Sequence, residues 1–115
     1  MGHSNYWNHK GFTDSQWNEL TSEVDRLFRS TDIPLANAFG EVGTVPVINE
    51  NEIRFNGVGD DSCETFHLTR EEQSFEFCKT RQSPYDEIVV EVMKLADRIN
   101  PTFYPSSDGD AFERC

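Results

Sequence analysis

The sequence predicts an α+β domain: a small antiparallel sheet of about four strands, or five with a short last one, and two amphipathic helices on one face. Three patterns predict it. Trp17, Leu20, Val24, Leu27 and Phe28 recur at helical spacing. Tyr85, Ile88, Val89, Val92, Leu95, Ala96 and Ile99 do the same. Between them, Phe66 and Leu68, then Phe75 and Phe77, alternate with polar neighbours at the two-residue period of half-buried strands.

Each element has its own local reason. Residues 1–11 read as an N-terminal arm, packed by the rings of Tyr6 and Trp7, since an indole is costly to leave in water. Residues 12–105 read as a single domain, and 106–115 as a turn and tail. Thr13 caps a helix over about 14–30, with Gln16 three residues on to complete a capping box. Ile33-Pro34-Leu35-Ala36 turns the chain, and Phe39–Gly43 reads as a flexible connector. Thr44–Ile48 and Glu52–Phe55 are short strands about the polar turn Asn49-Glu50-Asn51, with Pro46 holding the first to an edge or a bulge.

The central hairpin joins a strand at Phe66 and Leu68 to one at Phe75 and Phe77. If Phe66 faces Phe77, then Glu64 and Lys79 meet on the core face, and Cys63, Thr65, His67, Glu76 and Cys78 share the other; a slip of one residue inverts this. Ser83-Pro84-Tyr85-Asp86 starts the second helix, with Ser83 as cap, Pro84 at the first position and Asp86 completing a cap pair. Asn100-Pro101 stops it. Thr102–Tyr104 adds the short last strand, and Ser106–Asp110 turns.

The totals exclude some function classes. The 115 residues fit one domain, and no apolar run approaches the roughly 20 residues of a membrane span. The net charge of −11 disfavours nucleic-acid binding and is compatible with a basic partner or simply with a well-solvated surface. No cationic head precedes an apolar stretch at the N-terminus, and Tyr6 stands where acylation needs Ser or Thr. Three cysteines are an odd number, expected as reduced thiols in the cytoplasm. Cys63 and Cys78 face one another if the hairpin register holds, and Cys115 is terminal.

Candidate chemistry gathers between Phe55 and Asp86. Gly57-Val58-Gly59 lets backbone amides approach a ligand, although it lacks the following helix and third glycine of a dinucleotide loop. Lys79, Thr80 and Arg81 at a helix start suit an anion, or else pair with Glu64 and a loop aspartate. The candidate ligand set is Asn56, Gly57, Gly59, Asp61, Glu64, Lys79, Thr80, Arg81, Tyr85 and Asp86, with Trp7 as a lid. Asp60, Asp61, Glu64 and His67, joined by Asp86 or Asp108, are the alternative metal set, at no established spacing. Asp108-Gly109-Asp110 lacks the rest of a calcium loop. Cys63 or Cys78 with His67 is a nucleophile pair without an orienting third group. No cofactor and no catalytic residue is expected.

Several stretches carry a resemblance. They are Gly2-His3-Ser4-Asn5-Tyr6-Trp7, Pro34-Leu35-Ala36, Phe55-Asn56-Gly57, Asp61-Ser62-Cys63-Glu64-Thr65-Phe66, Phe77-Cys78-Lys79-Thr80, Pro84-Tyr85-Asp86 and Ser106-Ser107-Asp108-Gly109. Through them the chain resembles an uncharacterised family of small proteins encoded by bacteriophages and bacteria. The resemblance implies a setting, the host cytoplasm, and no reaction. The chain departs from that family in its short hairpin loop, and in Ala96-Asp97-Arg98-Ile99 where relatives carry paired His. The functional expectation is an accessory protein binding a small anionic, nucleotide-like ligand to counter a host system. The alternatives are an acidic inhibitor that occupies a basic, nucleic-acid-binding host protein, and a small metal-dependent enzyme.

Overall fold

The chain folds as an α+β structure of two helices and two three-stranded antiparallel sheets. The computed structural model describes residues 4–107. In chain order the elements are β1 (Ser4–His9), α1 (Asp14–Ser30), β2 (Val47–Ile48), β3 (Glu52–Phe55), β4 (Phe66–Thr69), β5 (Gln73–Lys79), α2 (Asp86–Ile99) and β6 (Tyr104–Ser107). One sheet runs β5-β1-β6 and the other β2-β3-β4. Six strands therefore replace the expected four or five.

Helix α1 forms as its pattern requires. The Thr13 hydroxyl accepts from the Gln16 amide at 3.1 Å, and the Gln16 side chain accepts from the Thr13 amide at 2.9 Å. Trp17, Leu20 and Val24 are buried, and the Trp17 indole donates to the Asn49 carbonyl at 3.0 Å. Helix α2 buries Ile88, Val89, Val90, Val92, Met93 and Ala96. It begins at Asp86, later than the Ser83 cap implies. The Ser83 carbonyl, not its hydroxyl, receives the Asp86 amide. The Asp86 carboxylate accepts from the side chains of Asn5 and Thr80.

The strands at the chain ends differ from expectation. The N-terminal arm supplies β1, the central strand of its sheet. The last strand begins at Tyr104 and takes in Ser106 and Ser107, which read as a turn. Thr44–Ile48 contributes only Val47–Ile48, since Pro46 lacks the amide that a ladder needs. The remainder of the 106–115 tail, with Asp108 and Cys115, and His3 of the arm lie outside the described residues.

The central hairpin is the main correction. β4 does not pair with β5: β4 pairs with β3, through Phe55↔Phe66 and Ile53↔Leu68, and β5 pairs with β1. Along that second ladder Trp7 faces Glu76 and His9 faces Gln73, so β5 advances three residues while β1 advances two. This bulge changes which face successive residues take. Gln73 and Cys78 both point inward, and Phe75 and Phe77 lie outside at 60% and 50% exposure. Their two-residue period is real, but the face assigned to them was the wrong one.

The core joins both sheets to both helices. Trp7, Phe55, Phe66, Leu68, Tyr85, Val89, Val92 and Met93 belong to one buried cluster. The Trp7 and Phe66 ring centroids lie 4.9 Å apart. Where β4 and β5 diverge without a shared ladder, the buried Gln73 side chain spans the gap. Its Oε1 receives the Trp7 indole at 3.0 Å and the Thr69 amide at 3.2 Å, and lies 3.2 Å from His9 Nε2. Its Nε2 donates to the His67 carbonyl at 3.2 Å. His9 Nδ1 accepts from the Gly11 amide at 2.9 Å, so the neutral ring carries its proton on Nε2 and donates to Gln73.

Two outcomes follow for stability. Gln73→Leu keeps the volume but strands buried donors on Trp7, His9 and Thr69, at a cost of about 3 kcal/mol or more, read by urea unfolding. Burial holds the His9 imidazole below its ordinary value of 6.5. The unfolded chain therefore takes up a proton near pH 6.5 and the folded chain only at lower pH. Stability contributed by His9 is full above that value and declines as pH falls below it. Urea midpoints between pH 7 and about 5 should drop for the natural chain, and less steeply for His9→Gln.

Candidate functional site

Asn56, just past β3, organises the region that the sequence marks out. Its Oδ1 accepts from the amides of Gly57 (2.7 Å) and Cys63 (3.0 Å). Its Nδ2 donates to the carbonyls of Ala38 (3.1 Å) and Cys63 (3.0 Å). All of its hydrogen-bonding capacity is spent inside the protein. One buried amide thus holds three segments: Ala36–Ala38, Asn56–Gly57 and Cys63.

The glycine loop encloses protein and not a ligand-sized space. A Cβ at Gly57 would lie 2.6 Å from the Asp61 carbonyl oxygen and 2.8 Å from the Tyr85 ring. Tyr85 is buried, and its hydroxyl donates to the Glu64 carbonyl at 2.7 Å. Gly59, at φ +58°, opens a single 3₁₀ turn, Gly59–Asp61, that leaves Asp60 and Asp61 exposed.

The cationic turn lies beside this loop. Thr80 is buried, and its hydroxyl donates to Asp86 Oδ1 at 2.6 Å, which also receives the Asn5 side-chain amide at 2.8 Å. Arg81 and Gln82 both have left-handed backbones, at φ 55° and 60°, in a turn closed by the Ser83 amide and the Thr80 carbonyl. Arg81 is exposed and donates to the Ser62 carbonyl at 3.3 Å, where an ion pair with a loop aspartate was an alternative expectation. Glu64 does meet residue 79, but its carboxylate accepts from the Lys79 backbone amide at 2.7 Å. The Glu64 amide donates to the Lys79 carbonyl at 3.1 Å. These bonds tie the start of β4 to the end of β5, and the Lys79 side chain is exposed.

Of the predicted set, then, Asn56, Gly57, Thr80 and Tyr85 are interior, and Gly59, Asp61, Glu64, Lys79 and Arg81 face solvent. Trp7 lies in the core against Phe66 and covers no recess, so it is not placed as a lid. A hollow of about 430 Å³ opens beside α2, between the Gln82–Pro84 turn and Asp86, Glu87, Glu91 and Lys94. Its three carboxylates outnumber its one amine, which is the wrong balance for an anion.

The thiol and metal alternatives can be placed too. Cys78 points inward, and its thiol contacts the Glu64 carbonyl at 3.3 Å. Burial, with the Glu64 carboxylate nearby, pushes its pKa far above the ordinary thiol range. Burial, then charge on the neighbouring thiols, raises the Tyr85 phenol likewise. His67 of β4 lies on the other sheet, 2.8 Å from Glu52 of the neighbouring β3. Cys78 and His67 thus do not share a face, because β4 and β5 belong to different sheets and the thiol of β5 turns inward. Among the described residues no three His, Cys, Asp or Glu side chains are placed to hold a metal ion. No described helix is long and apolar enough to cross a membrane.

Sequence reasoning missed a neighbouring feature. The stretch Phe39–Gly43, expected to be a flexible connector, is braced within a loop over 37–45. Asn37 Oδ1 accepts from the Phe39 amide at 3.0 Å, and Asn37 Nδ2 donates to the Glu41 carboxylate at 2.8 Å. The Thr44 hydroxyl receives the Asn37 amide at 3.0 Å and donates to the Glu41 carbonyl at 2.6 Å. Gly40, at φ +70°, is pressed so close to Ser62 that a Cβ would lie 2.5 Å from the serine Cβ. The Gly40 carbonyl receives the Gly59 amide at 2.8 Å. Upon this frame Phe39, Val42 and Val45 are 82%, 80% and 73% exposed. Three large apolar residues in an aperiodic stretch were the available signal.

Comparison with family models, with curated proteins and with solved structures returns no match. Gly57→Ala meets a backbone carbonyl and a fixed ring. It should cost about 2–3 kcal/mol, whereas Tyr85→Phe should cost about 1 kcal/mol; denaturant titrations at neutral pH separate the two.

Proposed function

We propose that the protein is an interaction protein whose 37–45 loop docks into an apolar pocket, basic at its rim, on a partner protein. The observation that carries this reading is the near-complete exposure of Phe39, Val42 and Val45 on a loop whose backbone is already fixed by hydrogen bonds. Exposed apolar side chains add nothing to the core, and a pre-ordered loop loses little entropy on binding. Glu41 lies within the loop, and Val42 reaches to 3.9 Å from where a Cβ on Gly59 would stand, beside Asp60 and Asp61. Carboxylates thus flank the apolar tip, with Arg81 behind them on Ser62. A partner with basic groups around an apolar hollow matches that layout, and the net charge of −11 would speed their encounter.

Occupying a surface needs no catalytic group, in keeping with a Cys78 thiol held protonated and a His67 ring held by Glu52. A small anion finds less support. The amide loop is filled by Tyr85, and Lys79 and Arg81 stand on the open surface.

The test uses the immobilised chain and its Phe39→Ser/Val42→Ser variant in a bacterial lysate, the setting that the resemblance implies. Captured proteins are identified by mass spectrometry, purified and titrated. A basic protein held by the natural chain, at least about tenfold more weakly by the variant, and less well as salt rises, is the expected result. Equal capture by both chains overturns the proposal. So does stoichiometric binding of a nucleotide or polyphosphate that Lys79→Ala/Arg81→Ala abolishes.

A further inference from the structure

The outer face of the β5-β1-β6 sheet is a second surface, different in kind. Tyr6 of β1 lies against Phe75 and Phe77 of β5, with ring centroids 6.0 and 6.5 Å apart, and the two phenylalanines are 6.1 Å from one another. On the other flank Tyr104 of β6 pairs with Asn8, and Ser106 pairs with Tyr6. Tyr104 is 68% exposed. A run of aromatic rings therefore crosses a three-stranded sheet on its solvent side.

The charge on this face decides what can cover it. The chain has 21 acidic residues against 10 basic ones. Yet the strand positions that alternate outward here are Tyr6, Asn8, Phe77, Lys79, Tyr104 and Ser106, with Phe75 joining them past the bulge. None is a carboxylate. A basic partner would be drawn to the acidic loops and not to this patch, whose one charge is the Lys79 amine. One amine is too little to hold a phosphate backbone against a net charge of −11. Two copies of so acidic a chain repel wherever carboxylates oppose. This face lets them meet without that repulsion, ring against ring about a two-fold axis.

We infer that the chain pairs with a second copy of itself through the outer face of β5-β1-β6, centred on Phe75 and Phe77. The contact is small. Three strands about 4.8 Å apart, with about 3.3 Å per residue along the seven residues of β5, offer roughly 300–400 Å² per copy. That is about half of the roughly 800 Å² per partner in a standard interface. Pairing is accordingly weak and set by concentration.

Sedimentation equilibrium of the natural chain, from roughly 10 µM to 1 mM, should show dimer growing with concentration, at a salt level that screens the net charge. Phe75→Ser/Phe77→Ser, both exposed, should keep the fold and sediment as monomer throughout. Phe39→Ser/Val42→Ser should pair as the natural chain does, which keeps this result separate from the docking loop. Amide resonances that shift on dilution should cluster in β1, β5 and β6. A natural chain that stays monomeric at the highest concentration overturns the inference, as does a Phe75/Phe77 variant that still pairs. A different protein bound by the natural chain and lost only in the Phe75/Phe77 variant would assign the face to that protein instead.

Discussion

A buried carboxamide bridges the two sheets of this protein where their strands share no ladder. Three strands are the least that makes a sheet independently stable, and each sheet here has only three. β4 and β5 follow one another in the chain but diverge and exchange no ladder, so the seam between them would leave backbone groups unpaired. Gln73 fills that seam. Its oxygen gathers an indole, an imidazole and a backbone amide, and its nitrogen reaches back to a carbonyl of β4. A carbonyl oxygen has two lone pairs, so three donors must share it, and each bond is weaker for the sharing. Protonating the imidazole would leave its Nε2 bond to Gln73 in place but set a second N–H on Nδ1 against the Gly11 amide that it accepts when neutral. At the far end of the seam Glu64 does the same work, with its backbone and its carboxylate both directed to residue 79.

The inward turn of Gln73 has a cost on the opposite face. Gln73 and Cys78 are five residues apart, so a regular strand would place them on opposite sides. Both are inside only because β5 bulges opposite Asn8. The bulge lets the amide reach the seam and lets Cys78 fill the core beside Tyr85. It also leaves Phe75 and Phe77 outside, where Tyr6 offers them only partial cover. The aromatic face is thus a geometric consequence of how the two sheets are joined.

What could be read in the sequence was what local physics controls. The helical stripes and the Thr13–Gln16 box are interactions within a few residues, and α1 spans 14–30 as its pattern implies. Glu52–Phe55 was likewise evident from alternation and a turn triplet. Strand pairing was not. β4 and β5 are neighbours in sequence and look like a hairpin, but the partner of β5 is Ser4–His9, far away along the chain. Alternation gives the period of a strand and never the side that faces inward, and the pairing of β5 with β1 sets Phe75 and Phe77 on the outer face. The residues expected to form a ligand set lie near one another, and four of them have a packing reason to do so. Asn56, Gly57, Thr80 and Tyr85 are the residue types that let backbone approach closely and satisfy it once there. In a ligand loop the approaching group is a ligand; here it is the Tyr85 ring.

That same economy separates the 37–45 loop from its supports. Helix α1 ends at Ser30 and β2 begins at Val47. A connection between packed elements rarely needs more than about eight residues, and longer ones tend to carry function. This one returns the chain to the sheet early, through the Ala36–Asn56 bridge, and then departs again. The excursion from Asn37 to Val45 is therefore not required to close the fold. It is nevertheless fixed by Asn37, Thr44, Gly40 and the Asn56 amide beneath it, and the side chains it holds out are apolar. Hydrogen bonds that order a loop without burying its side chains oppose conformational entropy for little gain in core packing. They make physical sense where the loop must keep one shape in water in order to enter a hollow elsewhere.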